Sequence, residues 1–188
     1  MSKKLNDALT YAAECHEGQY RKLDKLPYIM HSLEVAAVIG TVTTDENVII
    51  AGLLHDVVED TSGTIEEITE KFGDDVAALV LSETENKRSD RPASETWKIR
   101  KEESLAELRN STDPRVKILW LGDKVSNIRG LYRSYRKIGD EAFNMFHTKE
   151  KSNHAWYYNT IKELLSDLSD TAAYEEYATL VDKIFNEE

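Results

Sequence analysis

Apolar residues recur at helical spacing along nearly the whole chain, in segments parted by short polar breaks, and no alternating run is long enough to build a sheet. That pattern predicts an all-α fold, a helical bundle whose elements bury their apolar stripes against one another. Residues 3–15 carry Leu5, Ala8, Leu9, Ala12 and Ala13 on one face, and the runs from His31 to about Val42 and from Asp45 to about Val58 are apolar enough for central helices. Further helices are predicted at about 75–83, 95–110, 114–135, 139–147, 150–168 and 171–186. Thr43 with Glu46 and Thr64 with Glu67 have the spacing of capping boxes, Gly73 stands where a C-cap glycine would, and Asp113-Pro114 marks a helix start. The charged segment from Glu85 to Glu95, with Lys87, Arg88, Arg91 and Pro92, is the candidate mobile loop.

Composition bounds the function. With 188 residues, 40% of them apolar, the chain reads as one soluble domain over 1–188, long enough for a single core to bury roughly 70% of the unfolded surface. The lone Cys15 rules out an internal disulfide and a thiolate metal site, which fits a reducing cytoplasm. Met1 to Asp7 reaches an acidic residue before any apolar stretch, and no run approaches the ~18 apolar residues of a membrane span, so neither a targeting nor a membrane segment is expected. A net charge of −11 argues against nonspecific binding to nucleic acid or anionic lipid. An anionic ligand must then meet local cations or a metal.

The informative segment is Leu53 to Thr61, where an apolar run ends in the adjacent pair His55-Asp56, with Glu59 and Asp60 one turn further on. On a continuous helix Glu59 lies one turn beyond His55, and Asp60 one turn beyond Asp56. The plain alternative is a helix that leaves the core at Val58 and presents solvated carboxylates. Two other polar residues beside apolar stretches weigh against it: His31, in Pro27-Tyr28-Ile29-Met30-His31, and Asp123, in the segment from Ile118 to Asn127. Brought together, His31, His55, Asp56 and Asp123 make a mixed N/O set suited to Mn, Fe, Zn or another first-row divalent ion with positions open to water. Glu59 is then placed to take a proton from such a water, with Asp60 sharing that role or orienting the water.

The scattered His31, His55-Asp56 and Asp123 pattern resembles the HD-domain metal-dependent phosphohydrolases. Gly18 to Lys22, Pro27 to His31, Leu53 to Thr61, Phe72-Gly73 and Leu121 to Arg129 are similar, in order, to motifs of the (p)ppGpp hydrolase domain, found in long RelA/SpoT enzymes and alone in small alarmone hydrolases. The resemblance covers roughly residues 16–130 and is weaker beyond, and the chain ends where the stand-alone forms end. It implies an HD helical bundle with the metal site between central helices, and Mn²⁺-dependent removal of the 3′-pyrophosphate of ppGpp or pppGpp to leave GDP or GTP. By motif match His31, His55, Asp56 and Asp123 would hold the metal, Glu59 and Asp60 would activate water, and Arg21, Lys22 and Asn127 would contact nucleotide. Two departures stand out: Ser32 follows His31 where Pro is usual, and Gly122 precedes Asp123 where Ala is usual, which loosens the helix by up to ~1 kcal/mol.

Other readings stay open at several positions. Arg21 and Lys22 are a guanidinium and an ammonium aimed at a nucleotide or a pair of solvated loop cations, and Asn127 is a ligand contact or a core or capping residue. Lys101, Lys151 and Tyr158 resemble pocket-lining positions in relatives, and surface charge and aromatic packing explain them equally well. His16, His147 and His154 have no partner pattern and read as structural or exposed. The amphipathic pattern at 171–186 suits a self-association face, hence a homo-oligomer, or a helix that closes the core. At the level of function, the alternatives are an HD phosphohydrolase for another phosphorylated nucleotide and a nucleotide-sensing module that does not cleave.

Overall fold

A computed structural model of the chain describes residues 2–88 and 90–187. Helix α1 (Lys3–Cys15) is capped by the Ser2 hydroxyl, which accepts from the Leu5 N–H, and it buries Ala8 and Ala12. After a loop pinned by a bridge between Tyr20 and Pro27 come α2 (Ile29–Val42) and α3 (Glu46–Leu54). Asp45 caps α3 by accepting from the Asn47 N–H at 3.0 Å, in place of the expected box of Thr43 and Glu46. Thr43 accepts instead from the Asp45 N–H, because the shorter reach from Asp45 to the second helical N–H wins.

The helix expected from Asp45 to Val58 is broken. α3 stops at Leu54, His55 and Asp56 form a turn, and a one-turn α4 (Val57–Asp60) follows. The His55 imidazole takes the Gly52 carbonyl at 3.0 Å, drawing off a carbonyl of the last turn of α3. Both junction residues keep right-handed dihedrals, so Asp60 N–H still donates to the Asp56 carbonyl at 2.8 Å.

Helix α5 (Ile65–Phe72) opens with the full capping box of Thr64 and Glu67 and closes at Gly73, whose φ of +85° favours glycine. α6 (Asp74–Leu81), α7 (Ala93–Asn110) and the 25-residue α8 (Pro114–Ile138) follow. Gly139 ends α8 at φ +58°, and the segment expected as a helix at 139–147 is a 3₁₀ stretch, Gly139–Met145. α9 (Lys151–Leu164), a short 3₁₀ turn and α10 (Ala172–Phe185) complete the chain, with no strand among the described residues. None of the described helices is long and apolar enough to cross a membrane.

The site is positioned by the junction of α2, α3 and α8. Ile39 of α2 is fully buried there and fills the space beside two glycines. A Cβ on Gly52 would lie 2.4 Å from Ile39 Cδ1, and one on Gly122 would lie 2.6 Å from Ile39 Cγ1 and 3.2 Å from the Val35 carbonyl oxygen. Gly122 is therefore a close-packing residue of this core, which the helix-loosening expectation does not capture. Tyr177, Val181 and Ile184 of α10 are buried, so the pattern at 171–186 closes the core on that face.

Candidate metal centre

Four side chains from three parts of the fold meet at one point. His31 comes from the first turn of α2, His55 and Asp56 from the α3–α4 junction, and Asp123 from the middle of α8. The two Nε2 atoms are 3.2 Å apart. Asp56 Oδ2 lies 3.3 Å from His31 Nε2 and 3.0 Å from His55 Nε2, and Asp123 Oδ1 lies 3.1 Å and 3.5 Å from the same atoms. His31, His55 and Asp123 can each offer a ligand atom within 4.8 Å of the others, and Asp56 touches both imidazoles from the remaining side.

Hydrogen bonding on the far side of each ring tests whether this set fits a cation. His55 Nδ1 faces the Gly52 carbonyl, an acceptor, so it carries the proton. His31 Nδ1 faces Ser126 Oγ at 2.9 Å, and that hydroxyl donates to Glu34 Oε2 at 2.6 Å, leaving its oxygen to accept from the ring. With both Nδ1 atoms protonated, both neutral imidazoles aim Nε2 lone pairs at two carboxylate oxygens. Such a cluster needs positive charge at its centre, either protons on the rings or a divalent ion. Electrostatics agree: burial opposes charge on both imidazoles, and Asp56 and Asp123 override it, raising both pKa values. Burial likewise opposes ionisation of the two carboxylates, and the imidazoles, with the Lys124 ammonium beside Asp123, hold both well below the usual range.

Around the cluster, outer contacts orient its side chains. Lys124 pairs with Asp123 Oδ2 and reaches Glu83 at 3.1 Å, while Asn127 Nδ2 donates to Asp123 Oδ1 at 2.6 Å. Asn127 Oδ1 accepts from Arg21 at 3.2 Å, and Arg21 also donates to Ser126 at 3.3 Å. Arg21 is 9% exposed, so of the two readings of Arg21-Lys22 the solvated one does not hold for the guanidinium. Lys22 stays exposed, its Nζ 3.4 Å from His147.

The acidic pair borders this centre. Glu59 accepts from the Glu85 N–H at 3.1 Å and lies 3.7 Å from Lys87, and Asp60 pairs with Lys87. Burial, with Asp56 and Glu85 nearby, pushes the Glu59 carboxyl up to about 7. The segment expected as a mobile loop is thus tied at Glu85 and Lys87 to the acidic pair, and Arg88 pairs with Glu103 of α7. Tyr28 completes the border, its hydroxyl 2.7 Å from Asp56 Oδ2 and 3.1 Å from Asp60 Oδ2.

A cleft of about 460 Å³ opens beside these groups, with Arg21, Lys22, Tyr28, His31, Asp60 and Asn127 among its walls, whereas His55, Asp56, Glu59 and Asp123 are not among its described lining. Three of the expected binding residues are not among its described lining. Lys101 is tied to Glu85 and sits over the Tyr157 ring at 4.9 Å. Lys151 donates to the Tyr135 hydroxyl at 3.1 Å and to Asp140 at 3.0 Å, and the Tyr158 ring stacks on Phe185 with centroids 5.6 Å apart. The bonds each makes within the protein account for these positions. His154 bonds the Thr148 carbonyl at 2.9 Å, in line with a structural role. Tyr28, Ser126, Glu34, Lys87 and Lys124 were not singled out from the sequence. Tyr28, Ser126 and Lys124 stand inside the quoted motifs, and a polar side chain within an apolar motif was the available signal.

Comparison with known proteins places this geometry. The HD domain family matches residues 8–148. A guanosine-3′,5′-bis(diphosphate) 3′-pyrophosphohydrolase of Aquifex aeolicus is 34% identical over 181 residues, covering 94% of this chain and 25% of its own length. One of the same name from Drosophila melanogaster is 36% identical over 133 residues, covering 69% of this chain and 70% of its own. The chain spans about a quarter or less of the long bacterial relatives it matches. The solved structure of a metazoan ortholog of SpoT, described as hydrolysing ppGpp, superposes with a TM-score of 0.75 at 27% identity, covering 97% of this chain and 96% of that one.

Proposed function

The chain belongs to the HD-domain family, and from that membership we propose that it is a metal-dependent (p)ppGpp 3′-pyrophosphohydrolase. The observation that carries this reading is the convergence of two imidazoles and two carboxylates beside the Glu59–Asp60 pair, at a cleft walled by a buried guanidinium. The relatives named as 3′-pyrophosphohydrolases supply the substrate. His31, His55, Asp56 and Asp123 would hold the ion; two nitrogen and two carboxylate donors suit a first-row divalent cation, and the resemblance to the alarmone hydrolases is what implies Mn²⁺ among these. When bound, such an ion acidifies water and neutralises charge on phosphoryl oxygens.

The chain's own residues do the rest. Arg21, fixed by Ser126 and Asn127, keeps N–H donors for a phosphate, and exposed Lys22 adds a second cation at the same wall. Glu59 takes a proton from the attacking water, and Asp60 holds that water in place. The water oxygen bonds to the phosphorus attached to the ribose 3′ oxygen, that P–O bond breaks, and the ribose oxygen leaves with a proton drawn from solvent while Glu59 returns its own to solvent. The products are GDP or GTP and pyrophosphate.

The test is product analysis after incubating metal-stripped protein with ppGpp, with and without Mn²⁺, beside the Glu59→Gln variant. Mn²⁺-dependent GDP and pyrophosphate from the wild type, and none from the variant, is the expected result. Mn²⁺ binding with no release would move the substrate to another phosphorylated nucleotide or the role to sensing.

A further inference from the structure

Tyr28 occupies a position that the roles above leave unused. Its backbone N–H donates to the Gln19 carbonyl at 2.9 Å, and its ring stacks on the buried His16 with centroids 4.7 Å apart and planes 23° apart. That packing directs the hydroxyl at Asp56 Oδ2, 2.7 Å away, and Asp60 Oδ2, 3.1 Å away. Asp56 Oδ2 is the same oxygen that touches both imidazole Nε2 atoms. A phenol carries one hydrogen and an ionised carboxylate carries none, so the single O–H is shared between a metal-ligand carboxylate and a member of the acidic pair.

Asp60 is held from its other sides as well. Lys87 pairs with Oδ1, and Gln19 Nε2 donates to the Asp60 carbonyl at 2.8 Å. Gln19 Oε1 lies 2.9 Å from His16 Nδ1, and His16 stacks on Tyr28, so the contacts close a loop from Tyr28 through Asp60, Gln19 and His16 back to Tyr28. Within that loop the Tyr28 hydroxyl reaches the side-chain carboxylate of Asp56, whereas Asp60 meets Asp56 through the backbone, its N–H donating to the Asp56 carbonyl at 2.8 Å.

We propose that Tyr28 is a positioning residue of the hydrolytic site: its hydroxyl ties the ligand carboxylate of Asp56 to Asp60 and sets where Asp60 stands relative to the metal-bound side of the cleft. This rests on the phosphohydrolase reading above. A group donating to a metal-ligand carboxylate orients that ligand, and removing such a group ordinarily costs 10–100-fold, on the order of magnitude, in activity or metal affinity.

Tyr28→Phe keeps the ring on His16 and deletes only the O–H. Two measurements on the variant and the wild type decide the matter, with circular dichroism to confirm equal helix content: steady-state kinetics with ppGpp and calorimetric titration with Mn²⁺. The expected result is a kcat lower by roughly 10–100-fold at unchanged KM, with weaker Mn²⁺ binding. Wild-type kcat in the variant overturns the proposal, and so does a raised KM at unchanged kcat, which would make Tyr28 a substrate contact. If the wild type itself releases no pyrophosphate, the hydrolase reading fails, and the titration alone decides the tie: equal Mn²⁺ affinity in both proteins overturns it. Should Tyr28→Phe lose helix content, Gln19→Leu removes the donor to the Asp60 carbonyl instead, and kcat must then fall at unchanged KM; an unchanged kcat overturns the proposal.

Discussion

Burial and the carboxylates of Asp56 and Glu85 disfavour the charge on Glu59 in the metal-free fold and push its pKa up to about 7. The sign of the linkage follows. Between the ordinary carboxylate pKa and about 7 the native state holds a proton that the unfolded state has released, so raising the pH through that window lowers stability. Above it the penalty is complete, on the order of 1–3 kcal/mol. Glu59→Gln removes the charge and keeps an oxygen for the Glu85 N–H. We expect the metal-free variant to be more stable than the wild type at pH 8 and nearly equal to it at pH 5, measured by urea unfolding. A stability difference that does not grow with pH would refute this account of Glu59. The same variant should turn over no ppGpp, the exchange of activity for stability expected where a charge is kept buried for function. Asp60→Asn should also abolish turnover while Mn²⁺ titration still shows binding. His31, His55-Asp56, Asp123 and the acidic pair were legible because two of the sets are adjacent in the chain and each borders an apolar run. Tyr28 and Lys87 were not, because their significance lies in partners 28 and 27 residues away.

At the level of elements, the α2–α3–α8 junction shows packing overriding propensity. Ala in place of Gly122 would gain about 1 kcal/mol of helix propensity. It would also press a methyl group against Ile39 Cγ1 at 2.6 Å and the Val35 carbonyl oxygen at 3.2 Å, and overpacking of that kind costs about 1–3 kcal/mol. Net destabilisation is therefore expected in Gly122→Ala, read as a lower urea midpoint at constant m-value. A higher midpoint would show that Ile39 yields freely and that propensity dominates. The capping box of Thr64 and Glu67 and the C-cap at Gly73 were readable because capping chemistry is local, spanning a single turn. The break at His55-Asp56 was not, for the run stays apolar across it and nothing in its periodicity marks where the His55 ring takes a carbonyl of its own helix. The 3₁₀ geometry of Gly139–Met145 escaped for a related reason, since an apolar pattern reports a buried face and says little about hydrogen-bond pitch.

On the scale of the whole molecule, the metal centre joins α2, the α3–α4 junction and α8, so an ion bound there cross-links the core. An ion that binds only the native state at one hundred times its Kd adds about 2.7 kcal/mol. For a chain of this size that corresponds to a rise in Tm of roughly 5–10 °C. We expect Mn²⁺ to raise the Tm of chelator-treated protein by that order in differential scanning calorimetry, and His55→Ala to abolish the rise; an equal rise in the variant would place the ion elsewhere. A net charge of −11 already required that an anionic substrate meet local positive charge, and the cleft supplies it with Arg21 and Lys22 beside the metal cluster. By itself the sequence determined the all-α class and most helix positions, and it singled out His31, His55, Asp56, Asp123 and the acidic pair as candidates, because helical periodicity, capping and motif spacing are properties of neighbours along the chain. Only the tertiary structure decided that the Glu85–Lys87 loop is tied to the acidic pair, that Lys101 pairs with Glu85 and Lys151 with Tyr135 and Asp140, and that Tyr28 bridges Asp56 and Asp60. Those are contacts between groups far apart in sequence, and their distances exist only once the core has set the helices against one another.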